Sequence, residues 1–273
     1  MKLCMWFLHQ VLHVYLVPLL YYSLQYTSKS NQRLMPLFQY RACSRALCIL
    51  HLCILQLSAC NNELVRMSQV CKLNHLKILN LSNNNIEFMD GLKELKLLSW
   101  LGLANNKIKS IQQLNQCVHL EHLDLSGNFI QHLSDLSYLK NLKVLLLHRN
   151  NVETLRGCDR FFPSSVSTLT INGNDLTDLT EVSYLTGLPS MEQLTLADNP
   201  CILQPEDESK QFDYRPYVIN WCLGLRVLDG IIVGAKERYY VFSRCYQLYK
   251  LVPLGKGLSC IMKYSCKVRN RSA

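Results

Sequence analysis

His122, Asp124, His148 and Arg149 are the residues of this chain best suited by type and spacing to do chemistry, with Trp100 a little upstream. A histidine two positions from an aspartate shares one face of a β-strand with it, because side chains alternate sides with period two, and such a pair can begin a proton relay. A relay needs something to act on. The sequence contains no G-x-x-x-x-G-K-[ST], no H-E-x-x-H and no G-x-S-x-G, and no nucleophile stands near the pair. These residues therefore read as decoration of a contact surface, and the chain is expected not to be an enzyme. The 13 cysteines include no C-x-x-C pair. Cys43-x4-Cys48-x4-Cys53 matches no common zinc spacing, so no metal or cofactor is expected. Several others, such as Cys117, fall at apolar positions where a free thiol packs as a small hydrophobe. An odd, unpatterned set of this kind suits a reducing compartment.

The elements that must position those residues are set by a ladder of seven asparagines, Asn62, Asn84, Asn106, Asn128, Asn150, Asn174 and Asn199, spaced 22, 22, 22, 22, 24 and 25 residues apart. Each lies in one frame: apolar, two variable, apolar, one variable, apolar, two variable, Asn, one variable, apolar. Five units keep strict register, Ile54-Leu57-Ala59-Asn62-Leu64 being the first and Leu142-Leu145-Leu147-Asn150-Val152 the last. Two looser units follow, Val166-Leu169-Ile171-Asn174-Leu176 and Met191-Leu194-Leu196-Asn199. The alternation predicts a short strand per unit. One such strand cannot bury its apolar side alone, so the units must stack into a parallel sheet about 4.8 Å per strand. Each asparagine is expected to satisfy backbone groups where the chain turns inward. Met89-Leu92-Leu95, Ile111-Leu114-Cys117 and Leu133-Leu136-Leu139 place apolar residues three apart on the return path, which suits short 3₁₀ turns. The fold class is an α/β leucine-rich-repeat solenoid of short 22-residue units, with the sheet concave, a thin 3₁₀ or short-helical convex side, and a C-terminal cap.

Four regions follow: an apolar, acid-free extension over 1–53, seven repeats over 54–201, a cap over 202–236, and a basic irregular tail over 237–273. After Asn199-Pro200 and an acidic loop at Glu206-Asp207-Glu208, Pro216 fits the first turn of a short helix and Gly224 lies beyond its end. Tyr214, Val218, Leu225 and Leu228 are the side chains expected to cover the last repeat. The formal charge of +9 belongs to the ends, because all 20 acidic residues lie between Glu63 and Glu237, where 16 Lys and Arg leave a net of −4. A nucleic-acid partner would need a basic stripe on the folded face, and none is evident. Residues 3–24 contain no Lys, Arg, Asp or Glu and are long enough to cross a bilayer, although His9, Gln10, His13 and Pro18 work against that use. An extension outside the solenoid is the favoured account of this segment, and a membrane anchor is the alternative.

On each strand the variable positions project onto the concave face in columns. The third-position column reads Gln56, Ile78, Trp100, His122, Val144, Thr168, Gln193 and the fifth reads Ser58, Asn80, Gly102, Asp124, Leu146, Thr170, Thr195. Trp100, Val144 and Leu146 are large and apolar where water is expected, flanked by His122, Asp124, His148 and Arg149. An apolar patch with a polar rim is the signature of a protein contact.

Residues Asn61-Asn62-Glu63-Leu64-Val65-Arg66-Met67, Gly91-Leu92-Lys93-Glu94-Leu95, His122-Leu123-Asp124-Leu125-Ser126, and above all Phe212-Asp213-Tyr214-Arg215-Pro216-Tyr217 with Leu225-Arg226-Val227-Leu228-Asp229-Gly230 resemble the repeat domain of the centriole-capping family of the centrosomal protein of 97 kDa. The resemblance spans about residues 54 to 237. It implies a non-enzymatic scaffold of the cytoplasm and cytoskeleton, at the centrosome and centriole, that works with a coiled-coil capping partner and restrains cilium assembly. Calmodulin binding is not carried over, since no I-Q-x-x-x-R-G-x-x-x-R pattern occurs. Another intracellular short-repeat adaptor, of phosphatase-regulatory or axonemal-assembly type, and a membrane-tethered repeat module are the competing classes.

Overall fold

The computed structural model describes residues 55–202 and 213–239. The extension over 1–53, Ile54, the acidic loop, Phe212, the Cys43-Cys48-Cys53 series and the tail beyond 239 lie outside the described residues. Seven three-residue strands stack in chain order: β1 Gln56–Ser58, β2 Ile78–Asn80, β3 Trp100–Gly102, β4 His122–Asp124, β5 Val144–Leu146, β6 Thr168–Thr170 and β7 Gln193–Thr195. All pair parallel and in register, so that Ile78, Trp100, His122 and Val144 stand side by side. The central residue of each strand is buried, and its two neighbours project onto the concave face. Short strands suffice here because every unit also contributes apolar residues from its turn and return path to one continuous core.

The buried asparagines join neighbouring units as well as closing their own turns. Asn128 donates through Nδ2 to the carbonyls of Leu125 and Ser126 in its own unit and of Leu103 in the preceding one, at 2.9, 3.2 and 3.0 Å. Its Oδ1 accepts from the Ile108 amide at 3.0 Å. One carboxamide thus fills four bonds across two coils. Asn84, Asn106, Asn150 and Asn174 repeat this set, and Asn199 makes its inter-unit bonds to Ile171 O and from Leu176 N. Among the described residues Asn62, in the first described unit, holds its own Ala59 and Cys60 carbonyls, and it is half-buried where the others are buried.

A second column runs just outside the ladder. The residue before each asparagine, namely Asn61, Asn83, Asn105, Gly127, Arg149, Gly173 and Asp198, has φ between 52 and 63°. Only Gly, Asn and Asp enter this left-handed region readily, which accounts for six of the seven types. Asn83 Nδ2 donates to Asn61 Oδ1 at 2.9 Å and Asn105 Nδ2 to Asn83 Oδ1 at 2.8 Å, forming an exposed amide row. Gly127 ends it, for a Cβ there would lie 2.1 Å from Asn105 Oδ1.

The convex side carries 3₁₀ turns at Ser68–Lys72, Leu92–Glu94 and Leu179–Gly187. The two longer spacings of the ladder correspond to a helical turn α1, Cys158–Phe161, and to the nine-residue 3₁₀ segment packed against it. Gly187 permits that approach, since a Cβ there would come within 2.7 Å of Asp159 Cα.

The cap is helix α2, Arg215–Trp221, with Pro216 in its first turn, followed by β8 Val227–Leu228 and β9 Ile231–Ile232. β8 continues the parallel sheet and β9 turns back antiparallel, a hairpin that the repeat frame did not foretell. Val218, Leu225 and Leu228 are fully buried, and Tyr214 packs half-buried against the same core. Asp229 seals the last repeat: its Oδ1 accepts from the amides of Leu196 and Ala197 at 2.6 and 2.8 Å, and its Oδ2 from the Tyr214 hydroxyl at 2.6 Å. The cap boundary expected at 236 moves outward. Glu237 pairs with Arg215 at 2.8 Å, and Arg238 donates to the Leu223 and Leu225 carbonyls, because residues 235–239 form a further helical turn that folds back on α2.

Because Asn128 fills four bonds and Asn62 two among the described residues, truncating them will cost very different amounts. Asn128→Ala should destabilise by roughly 3 kcal/mol or more and Asn62→Ala by about 1 kcal/mol, measured by urea denaturation. Equal losses would show that the inter-unit bonds carry no special weight.

Candidate protein-binding face

Trp100 and His122, opposite each other on β3 and β4, stack with ring centroids 5.1 Å apart and planes 12° from parallel. The indole leans along its own strand, edge over Gly102, because Gly102 has no side chain; a Cβ there would be 2.5 Å from Trp100 Cη2 and 2.9 Å from Asn80 Oδ1. His122 covers one aromatic face. The other looks toward the N-terminal strands, where Gln56, Ser58, Ile78, Asn80 and Trp100 line a shallow, open hollow of about 280 Å³.

The remaining expected contact residues divide. Val144 adjoins His122 and Leu146 adjoins Asp124, so the patch is contiguous across β3 to β5. Trp100, Val144 and Leu146 are half-buried, so each keeps part of its surface open to water. Asp124 is engaged locally: its Oδ1 accepts from the Ser126 amide at 3.0 Å and the Ser126 hydroxyl at 2.6 Å. His148 Nδ1 lies 3.0 Å from Thr170 Oγ1. Arg149 does not join the patch. It is exposed on the left-handed rim column at φ 54°, its side chain beside Gly173. The hollow itself was missed, although Gln56, Ser58, Ile78 and Asn80 stand in the concave columns. The available signal was the Trp100–Gly102 pair, which forces the ring over rather than outward.

Burial holds the His122 imidazole below the ordinary histidine value, with the Asp124 charge opposing. Burial likewise lowers His148, opposed by Asp124 and assisted by Arg149. Both rings are therefore neutral near pH 7. The buried thiols are displaced the other way: burial pushes Cys117 up to about 11 and Cys222 up to about 12, so neither is a nucleophile at neutral pH. Large apolar side chains that do face water lie off the patch, among them Phe88 at 62% and Phe129 at 53% exposure, and Ile232 at 76% on β9. Among the described residues no group of His, Cys, Asp and Glu could hold a metal ion, and no helix is long and apolar enough to cross a membrane. Residues 3–24 lie outside that statement.

A stacked parallel sheet with a ladder of buried asparagines and a contiguous concave patch defines the class. A leucine-rich-repeat family model matches residues 100–245, and the chain belongs to the leucine-rich-repeat family, whose sheets serve protein–protein binding. An internalin from Listeria monocytogenes shares the fold, with a TM-score of 0.55, 21% identity, and coverage of 72% of this chain and 54% of that one. More particular is the likeness to the centrosomal protein of 97 kDa. The mouse protein is 46% identical over 92 residues, covering 34% of this chain and 11% of its own length. The human protein is 47% identical over 90 residues, covering 33% and 10%. The chain thus spans about a tenth of the length of these relatives.

A histidine whose folded pKa lies below its unfolded one favours the folded state above the unfolded value, and that contribution is lost as pH falls through the folded value. For His122 and His148 the loss should begin below pH 6.5. Proton NMR is expected to show both rings titrating below 6.5, with the Trp100 indole signal moving in step with His122. Titration of His122 at or above 6.5 would contradict the burial described here.

Proposed function

We propose that this chain is a non-enzymatic interaction scaffold of the centrosome that holds a protein partner against its concave face. The likeness to the centrosomal protein of 97 kDa supports the location. The observation that carries the binding mode is the contiguous patch from Trp100 through His122 to Val144 and Leu146, held on the in-register parallel strands β3 to β5. Half-burial serves such a face: side chains already held by their neighbours lose little rotamer freedom when a partner covers them. His122, Asp124 and His148 supply the polar rim, and Arg149 an outer contact from the edge. In the finer form of the proposal, the partner is a coiled-coil centriolar capping protein and the complex restrains cilium assembly.

The test is a tagged full-length chain expressed in ciliated cells and scored against a centriole marker. Wild type should concentrate at centrioles. The double variant Trp100→Ala/Leu146→Ala should melt as a folded protein, since both positions lie on the outer side of the sheet, yet lose most of the centriolar signal. A diffuse wild type would overturn the location, and an undiminished signal from the folded variant would overturn the role of the patch.

A further inference from the structure

Accepting the concave face as the binding face, as proposed above, the hollow beside Trp100 narrows what kind of partner surface fits it. None of its five lining residues, Gln56, Ser58, Ile78, Asn80 and Trp100, is ionisable. The bordering groups add no positive charge at neutral pH, because His122 is held in its neutral form by burial. The nearest carboxylate on the columns, Asp124, is already bonded to Ser126. A cationic side chain on the indole would find no counter-charge, and an anionic one no donor beyond amides and a hydroxyl.

The polar wall has a defined sense. Asn80 Oδ1 accepts from the Ser82 amide at 3.2 Å and from the Ser82 hydroxyl at 2.8 Å. Since a backbone N–H can only donate, the carboxamide oxygen must face Ser82 and the NH2 must face away. Among the described residues Asn80 Nδ2 has no hydrogen-bond partner. The hollow therefore presents N–H donors beside an open aromatic face. Asp124 and Ser126, two units on, show the same local turn built with a carboxylate.

We propose that the hollow seats a main-chain segment of a partner protein, with Asn80 Nδ2 donating to a backbone carbonyl and the open face of Trp100 taking one uncharged apolar side chain. An exposed carbonyl next to an apolar side chain is what an extended or loop segment offers, and the absence of charge complementarity makes the contact a salt-tolerant one.

The probe is a displayed library of random dodecapeptides selected against the full chain, with enriched peptides then titrated by monitoring the Asn80 side-chain amide and Trp100 indole signals in NMR spectra. Enriched sequences should share an uncharged apolar anchor, shift both signals, and lose less than about twofold in affinity between about 50 and 500 mM sodium chloride. The substitution Asn80→Asp keeps the turn, as Asp124 demonstrates within this same sheet, while removing the donor and placing an acceptor opposite the carbonyl. It should leave the melting temperature near that of wild type and weaken the peptides about tenfold or more. Equal binding by Asn80→Asp, charge-dependent peptides, or no enrichment would overturn the proposal. So would a Trp100 shift on concentration without peptide, which places a second copy of the chain in the hollow. Should Trp100→Ala/Leu146→Ala abolish centriolar targeting while Asn80→Asp peptide binding stays unchanged, the scaffold stands and the carbonyl contact fails.

Discussion

Everything in this molecule depends on one carboxamide geometry. A three-residue strand pairs too little backbone to hold itself, and the inward turn that follows leaves carbonyls and an amide that water cannot reach. An asparagine at the turn reaches back across the gap between coils, giving two donors to carbonyls of its own and the preceding unit and accepting from the preceding unit's chain. Leucine at that position would bury as well but leave those polar groups bare, at about 1 to 3 kcal/mol each. The coupling thus follows from hydrogen-bond satisfaction, and core packing takes its register from it.

The C-terminal end of the array meets the same constraint with a different residue. At the C-terminal end the cap takes the place of a further repeat among the described residues, and Asp229 supplies a carboxylate that accepts the two amides just beyond β7 and a tyrosine hydroxyl. Charge-assisted bonds of this kind are stronger than the amide bonds they replace. The cost is a carboxylate drawn toward the core, and burial together with its hydrogen bond to Asp229 displaces the Tyr214 hydroxyl to a pKa well above the ordinary tyrosine value. Arg215 and Glu237 then lock the helix and the final turn over the seal. The apolar cross-section that an open solenoid would expose is covered by Val218, Leu225 and Leu228.

Much of this was legible in the amino-acid sequence because repeats multiply a weak signal. Seven strands, their order, their register and the burial of the frame all follow from period and spacing, and the enlarged convex side follows from the 24- and 25-residue steps. The hairpin β8–β9 was not legible, since two-residue strands carry no pattern. The left-handed rim column was visible in the Asn-Asn and Gly-Asn pairs yet overshadowed by the buried member of each. The concave patch was legible as composition and only partly as geometry: columns tell which residues share a face, whereas the lean of Trp100 over Gly102, the engagement of Asp124 with Ser126 and the departure of Arg149 to the rim depend on local contacts that columns do not carry.

The glycine at 102 has a wider consequence. Because the indole of Trp100 occupies the volume that any side chain at 102 would need, the two positions behave as a single locus despite being separate codons. A chain that acquires a side chain at 102 must first give up, or reorient, the aromatic at 100, and one that introduces a large ring at a third position can lean it along the strand only if the fifth has already been emptied. Diversification of such a sheet therefore proceeds by coupled pairs along a strand, and its history should be written in joint changes at positions two apart rather than in the independent drift of single columns.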